Sequence, residues 1–450
     1  MSPHSSSHPE QTTPRVSNLA RRVHGWSWQA FPIGMGTGAV YVTLSGIQDR
    51  NSTVTTIETV FYFINMALFL LNTTTLFIQA LVYPRQAWRL MKDPVKGIFV
   101  PLIVLSFATI IIGTINYAHP SGHVTSASIY ALFWVYVAFA CITCIPMLMI
   151  WFNKPHDLNK FTPAYAFFDF PNGLSAPSLM LVGVVAFNVL RTMDPADTRA
   201  VGVLFVGYFF QGLGTFMTFI YIVIYIIRIM TTGFLDGHQA NGAFVACGPP
   251  GFTALALINL GQHARKILDV HDLITPQAGE IWYASSVMTA LMLYGLAVFL
   301  FFFGVLPYWF KVHKHLNEIL GCWALTFPNV GWINCTSTLG QVLHIPGFRI
   351  VHFFMTCVIF ITWCILFTLT ATAFWKGLIF YSKEEDVLQD TRPLLLTLSS
   401  MSEKSRQNPS VNASSVDLFS AGSSSQNLDA APVSESSYLR PYDLSGNRMV

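Results

Sequence analysis

Residues 237–264 read GHQANGAFVACGPPGFTALALINLGQHA, and this stretch carries both features on which the fold turns. It contains no Asp, Glu, Lys or Arg, and it exceeds the roughly 20 residues a helix needs to cross the hydrocarbon core of a bilayer. Its centre, Gly248-Pro249-Pro250-Gly251, breaks helices, because proline lacks a backbone donor and its ring clashes with the preceding turn. A long apolar run with a break in its middle describes a membrane helix that is not a simple rod.

Nine further windows lack the same four residue types: 23–48, 59–83, 98–118, 124–153, 170–190, 200–227, 281–310, 319–348 and 350–375. Hydrocarbon offers backbone groups no partner, so apolar runs of this length form helices. The chain is 53% hydrophobic and 10% charged, where soluble domains carry about 25% charged residues. The expected fold class is all-α integral membrane, with ten transmembrane helices. A net charge of +3 is too small to point to a nucleic-acid partner.

Residues 1–20 are polar and lack the apolar core of a cleavable signal, so the first spanning helix is expected to direct insertion. Seven cysteines, Cys141, Cys144, Cys247, Cys322, Cys335, Cys357 and Cys364, all fall inside the windows. They read as small buried hydrophobes; the Cys141/Cys144 spacing lacks the second pair a metal site would need. Neither a metal nor a cofactor is expected.

Cationic residues near helix ends set orientation. With the N-terminus inside, thirteen Lys and Arg fall on the inner side, Arg21, Arg22 and Arg89 among them. Six fall outside: Arg50, Arg191, Arg199, Arg265, Lys266 and Arg349. Both termini are therefore expected in the cytoplasm. Three regions follow: a disordered N-terminal tail over 1–22, a ten-helix domain over 23–376, and a disordered Ser-rich tail over 383–450. The second tail is a candidate for regulatory phosphorylation.

The placement of helix breakers divides the ten spans into two kinds. The odd-numbered spans carry Pro32, Pro101, Pro171, Pro250 and Pro328, separated by 69, 70, 79 and 78 residues. Among the even spans the fourth has an interior proline, Pro146, and the eighth has Pro307 near its inner end. Freed carbonyls must be satisfied by protein or a wet cavity. Five helical hairpins are thus expected, their proline-kinked odd helices lining a central pore and their even helices facing lipid. Glycine supports this through Gly34-Met35-Gly36-Thr37-Gly38, Pro171-Asn172-Gly173 and Phe327-Pro328-Asn329-Val330-Gly331, although small residues also serve close helix packing.

Almost nothing inside the windows titrates, which argues against a dense carboxylate relay and against a membrane-embedded enzyme. The odd spans offer hydroxyls and amides: Thr37, Asn116, Asn172, Asn259, Asn329, Asn334 and Thr336. With the positive ends of half-helices, such donors suit an anion. Asp169, just before the fifth window, is the one acidic candidate for proton handling.

These motifs resemble the tellurite-resistance/dicarboxylate transporter family, also known as the voltage-dependent anion channel family, and within it the fungal malic acid transporters. The most specific stretches are Cys247-Gly248-Pro249-Pro250-Gly251-Phe252-Thr253-Ala254-Leu255-Ala256-Leu257-Ile258-Asn259 and Phe327-Pro328-Asn329-Val330-Gly331-Trp332-Ile333-Asn334-Cys335-Thr336. The resemblance runs from about Trp26 to Trp375 and implies ten helices as five hairpins in a quasi-fivefold arrangement. It also implies that Phe327, by its place before the ninth-span proline, is a pore gate. A homotrimer is a further implication, which no residue pattern here demands.

The implied function is transport of C4 dicarboxylates such as malate across the plasma membrane, with or without protons; the alternative is a sulfite or other small-anion exporter or channel. The partners are then a small-molecule anion and the lipid bilayer. The expected substrate path comprises Gly36, Thr37, Gly38, Gly248, Pro249, Pro250, Asn259, Pro328, Asn329, Asn334 and Thr336. One departure is Phe168-Asp169-Phe170-Pro171, where malate carriers have an apolar residue at the Asp169 position; Pro32, just before the first glycine cluster, is another.

Overall fold

A computed structural model of the chain describes residues 16–93, 96–152, 176–234, 237–315 and 319–391, all within the first of two units, which ends at Leu395. Every regular element among them is helical. In chain order these are α1 (Asn18–Gly25), α2 (Phe31–Leu44), α3 (Ser52–Val82), α4 (Pro84–Lys92), α5 (Leu102–Gly113), α6 (Ser126–Phe152) and α7 (Ala176–Leu190). There follow α8 (Thr198–Thr232), α9 (Gly248–Val270), α10 (Ala278–His315), α11 (Phe327–Val342) and α12 (Pro346–Trp375). Six stretches, in α3, α6, α8, α9 with its lead-in, α10 and α12, are long and apolar enough to cross a membrane. The protein is an integral membrane protein. Each uncharged window coincides with one of α2, α3 and α5–α12.

The prolines stand at helix starts, which corrects the expectation of mid-helix kinks. Pro32 and Pro328 are the second residues of α2 and α11, Pro249 and Pro250 the second and third of α9, and Pro101 caps α5. A 3₁₀ run leads into each of these helices: Trp28–Ala30, Gly97–Phe99, Gly237–Cys247 and Gly321–Leu325. First-turn N–H groups have no intrahelical acceptor, so proline costs nothing there and its fixed φ favours the α-helix. The break is thus a change of helix type. Pro171 and its neighbours lie outside the described residues.

Carbonyls freed at one such entry are met by the long helix behind it. Gln79 Nε2 of α3 lies 2.9, 2.8 and 2.9 Å from the carbonyl oxygens of Val23, His24 and Trp26. Two turns away, Asn72 Nδ2 donates to the Ala30 carbonyl at 3.1 Å. Irregular backbone at membrane depth survives only with such internal partners.

Each proline-initiated helix, and α7 likewise, packs on the long helix that follows it: α2 on α3, α5 on α6, α7 on α8, α9 on α10 and α11 on α12. The shorter set also touch one another in order, α2 with α5, α5 with α7, α7 with α9, α9 with α11, and α11 with α2. Burial follows this division: 89% of the apolar window in Gly242–Val270 is buried, against 22–33% in the long helices. The outward side chains of the latter, such as Phe63, Leu70, Phe77, Phe209, Phe216 and Phe353, are large and apolar, as a lipid-facing surface requires. Cys357 and Cys364 are exposed on that surface of α12, correcting the reading of all seven cysteines as buried.

Helical order extends to Asn18 at one end and to residue 391 at the other, past the boundaries expected at 22 and 383. His24, buried in α1, bonds Ser382 Oγ at 2.8 Å through Nδ1 and Asp390 Oδ2 at 2.9 Å through Nε2. Arg89 of α4 also holds Asp390.

Between α9 and α11 backbone meets backbone at two glycines. A Cβ at Gly331 would stand 2.4 Å from the backbone nitrogen of Phe252, and one at Gly251 would stand 2.6 Å from that of Trp332. Neither backbone can yield without parting the helices. Gly331→Ala should therefore destabilise the protein by about 2–3 kcal/mol, read as a lowered thermal midpoint in detergent. Gly295→Ala is the control, since a Cβ there meets nothing within 4 Å, and it should leave the midpoint unchanged.

Candidate functional site

A cavity of about 600 Å³ opens among α2, α5, α7, α9 and α11, reaching from Phe252 near the start of α9 and Phe327 at the start of α11 to the turns that follow α2 and α7. Every residue lining it belongs to one of these five helices or to the turn that follows one; none comes from the long helices. Its deep end is apolar. Phe252 of α9 and Phe327 of α11 stack there with ring centroids 5.1 Å apart and planes inclined by 30°. The glycine contact just described fixes this pair, because Phe252 follows Gly251 and Phe327 stands one turn before Gly331.

Toward the mouth the lining turns polar, with Asn116 from the end of α5, Asn188 from α7, Asn259 from α9 and Asn334 from α11. Two arginines complete it, Arg50 in the turn after α2 and Arg191 in the turn after α7. The C-terminal ends of α2, α5 and α7 at this polar end carry partial negative charge, so the positive potential there comes from the guanidinium groups. Arg191 NH1 donates to Asn116 Oδ1 at 3.1 Å and to Asn188 Oδ1 at 3.2 Å. Those are neutral amide oxygens; among the described residues no carboxylate pairs with Arg191. Its surroundings strip some hydration, and Arg50 adds like charge; both lower the Arg191 guanidinium from its ordinary value. A cation so placed gains from any anion that arrives.

Arg50 is held differently. Its NH1 donates to Glu58 Oε2 at 3.1 Å, and while the arginine side chain is 37% exposed the glutamate is 0% exposed. Behind them a polar brace joins α2, α3 and α5: Tyr41 donates to the Thr109 carbonyl at 2.6 Å, and Asn65 Nδ2 donates to Tyr41 Oη at 3.1 Å and to Thr109 Oγ1 at 2.9 Å. Asn334 Nδ2 donates to the Val42 carbonyl at 3.0 Å and Ser337 Oγ to that of Gly46 at 2.8 Å, tying α11 to the end of α2.

Of the residues singled out from sequence, Phe327, Asn116, Asn259 and Asn334 line the cavity. The others sit in packing contacts. Thr37 Oγ1 donates to the Ile33 carbonyl and accepts from Trp363 Nε1. Thr336 Oγ1 bonds the Trp332 carbonyl and Tyr294 Oη of α10. Asn329 accepts from Trp332 Nε1 and donates to the Leu325 carbonyl. Gly36 lies under Trp323, Gly38 against Thr109, and Gly248 against Pro328; Pro249 and Pro250 are buried in the first turn of α9. Asp169, with Asn172 and Gly173, falls outside the described residues.

Sequence reasoning missed Phe252, Arg50, Arg191 and Asn188 as members of one site. A signal was present for the arginines. Each is among the first charges after an odd window, at 48 and 190 respectively, which is where a pore-lining helix emerges.

The comparisons with known proteins agree with this architecture. The chain is 27% identical over 382 residues to the malic acid transport protein of Schizosaccharomyces pombe, covering 83% of the chain and 84% of that protein. A putative malic acid transport protein of the same yeast is 28% identical over 383 residues, covering 83% and 85%. The sulfite efflux pump SSU1 of Trichophyton rubrum is 24% identical over 353 residues, covering 77% and 89%. The model of the voltage-dependent anion channel family matches residues 25–371. With that span matched, and with a cavity walled by the short helices and charged for anions, the chain belongs to the voltage-dependent anion channel family.

Proposed function

We propose that this protein carries malate or another C4 dicarboxylate across the plasma membrane through the cavity just described. The observation that carries the reading is the cavity itself, with two guanidinium groups at its mouth and two stacked rings at its deep end. Its volume is in the range of small-molecule sites, and two cations suit a substrate with two carboxylates. The ten helices act as five hairpins in a quasi-fivefold ring, crossing the membrane ten times with both termini cytoplasmic. The mouth then faces outward, as the excess of inner Lys and Arg supports. The S. pombe relatives' names support malate as the substrate.

Sulfite export is the competing reading, supported by the name of the T. rubrum relative. One guanidinium is enough for a small inorganic anion, so the second cation favours the diacid. Uptake of labelled malate into proteoliposomes, with succinate, acetate and sulfite as competitors, tests this. Saturable malate uptake that succinate suppresses and acetate does not is the expected result. Sulfite flux without malate flux would overturn it.

A further inference from the structure

Glu58 is, among the described residues, the acidic side chain buried most completely, at 0% exposure. Its Oε2 accepts from Arg50 NH1 at 3.1 Å and from Tyr117 Oη at 3.2 Å, whereas its Oε1 is buried with no partner. The charged and titratable groups around it are Arg50 from the turn after α2, Tyr41 from α2, Tyr62 from its own helix, Tyr117 beyond α5 and, past Arg50, Arg191. No other carboxylate faces it among the described residues, and Arg50 is its cation. That same Arg50 lines the cavity. One guanidinium therefore serves a buried carboxylate on one side and an anion site on the other.

We propose that Arg50 alternates between Glu58 and a substrate carboxylate, and that Glu58 takes up a proton when the substrate takes Arg50. This rests on the reading of the cavity as a dicarboxylate site. In the empty site Glu58 is ionised and Arg50 is cationic. When a dianion enters, one carboxylate accepts from Arg50 and the other from Arg191. Glu58, left buried without its cation, then accepts a proton from solvent hydronium at the mouth. One hydronium O–H bond breaks, leaving water, one O–H bond forms on the carboxylate, and the buffer resupplies the proton. Leaving it ionised would strand an uncompensated buried charge, the costlier alternative. On release the carboxylate departs, the O–H bond breaks, the proton returns to water and Arg50 returns to Glu58. Dianion binding and proton binding thus favour each other reciprocally.

The test is calorimetry of malate binding to the purified protein in two buffers of different ionisation enthalpy, at a pH where free malate is a dianion. The wild type should take up about one proton per malate, with apparent affinity falling up to tenfold per pH unit on the alkaline side. Glu58→Gln keeps the shape of the side chain and a carbonyl for Arg50. It should bind malate with no proton uptake and a flat pH profile. Tyr117→Phe, a milder change should the first variant fold poorly, removes a hydrogen bond to the ionised carboxylate. It should carry the loss of affinity to higher pH.

Malate binding with unchanged proton uptake in Glu58→Gln, or an unshifted profile in Tyr117→Phe, would overturn the proposal and leave the transport reading intact. Failure of the wild type to bind any dicarboxylate while sulfite binds would overturn that reading, and this inference with it.

Discussion

Phe327→Ala should raise malate flux by about tenfold, and the double replacement of Phe327 and Phe252 should raise it further, because an aromatic constriction that closes a pore is opened by losing its rings. Both rings are almost fully buried, at 6% and 4% exposure, and both close the deep end of the cavity. They do so from two helices in backbone contact at Gly251 and Gly331, so the helices cannot slide to refill the space. A single alanine leaves the other ring free to lean inward, which is why the double variant is the fuller test. Truncating a buried phenylalanine costs roughly 3–5 kcal/mol of packing, so flux is compared per folded molecule. Unchanged flux in folded double variant would return the pair to a packing role.

Arg191→Ala should raise the half-saturating concentration of malate by about 10- to 100-fold, the equivalent of the roughly 1.5–3 kcal/mol a charge-assisted hydrogen bond contributes. Arg191 sits in a turn at the mouth, exposed, with amide oxygens as its hydrogen-bond partners. Its removal strands no buried carboxylate, so little stability is lost. The effect should shrink for a monocarboxylate, which Arg50 alone can hold, and raised salt should mimic it, since mouth charges are screened over about 8 Å at physiological ionic strength. Arg265→Ala is the control, because that residue pairs with Glu280 and does not line the cavity; it should leave uptake unchanged. Equal loss for malate and acetate would contradict a two-cation site.

The helices were legible because hydrocarbon allows so little else: each uncharged window coincides with a helix. The regularly spaced prolines of the odd windows also located the irregular backbone, though not its form. Nothing in the spacing distinguishes a kink from a 3₁₀ run that ends where an α-helix begins, since proline suits both the end of one and the first turn of the other. Phe327, Asn259 and Asn334 were accessible because motif and pore face coincide on α9 and α11. Thr37 and Thr336 were not separable from them, as a threonine that bonds its own helix or a neighbouring tryptophan looks the same in sequence.

Glu58 escaped for a different reason. Windows defined by the absence of charge begin the second span at 59, yet α3 begins at Ser52. A charge paired inside the protein is invisible to a rule that reads every charge as an end. Arg50 and Arg191 likewise counted toward orientation, and only the convergence of α2 and α7 brings them to one cavity.

The claim that substrate moves through this cavity is tested most directly at Asn259, a lining residue whose amide donates only to the Leu255 carbonyl of its own helix. Asn259→Cys in proteoliposomes is treated from the mouth side with a membrane-impermeant, anionic thiol reagent, with the wild type as the background for its native cysteines. The account predicts that modification blocks malate uptake and that malate in excess slows the modification. Complete labelling of Cys at this position with uptake unchanged would contradict it.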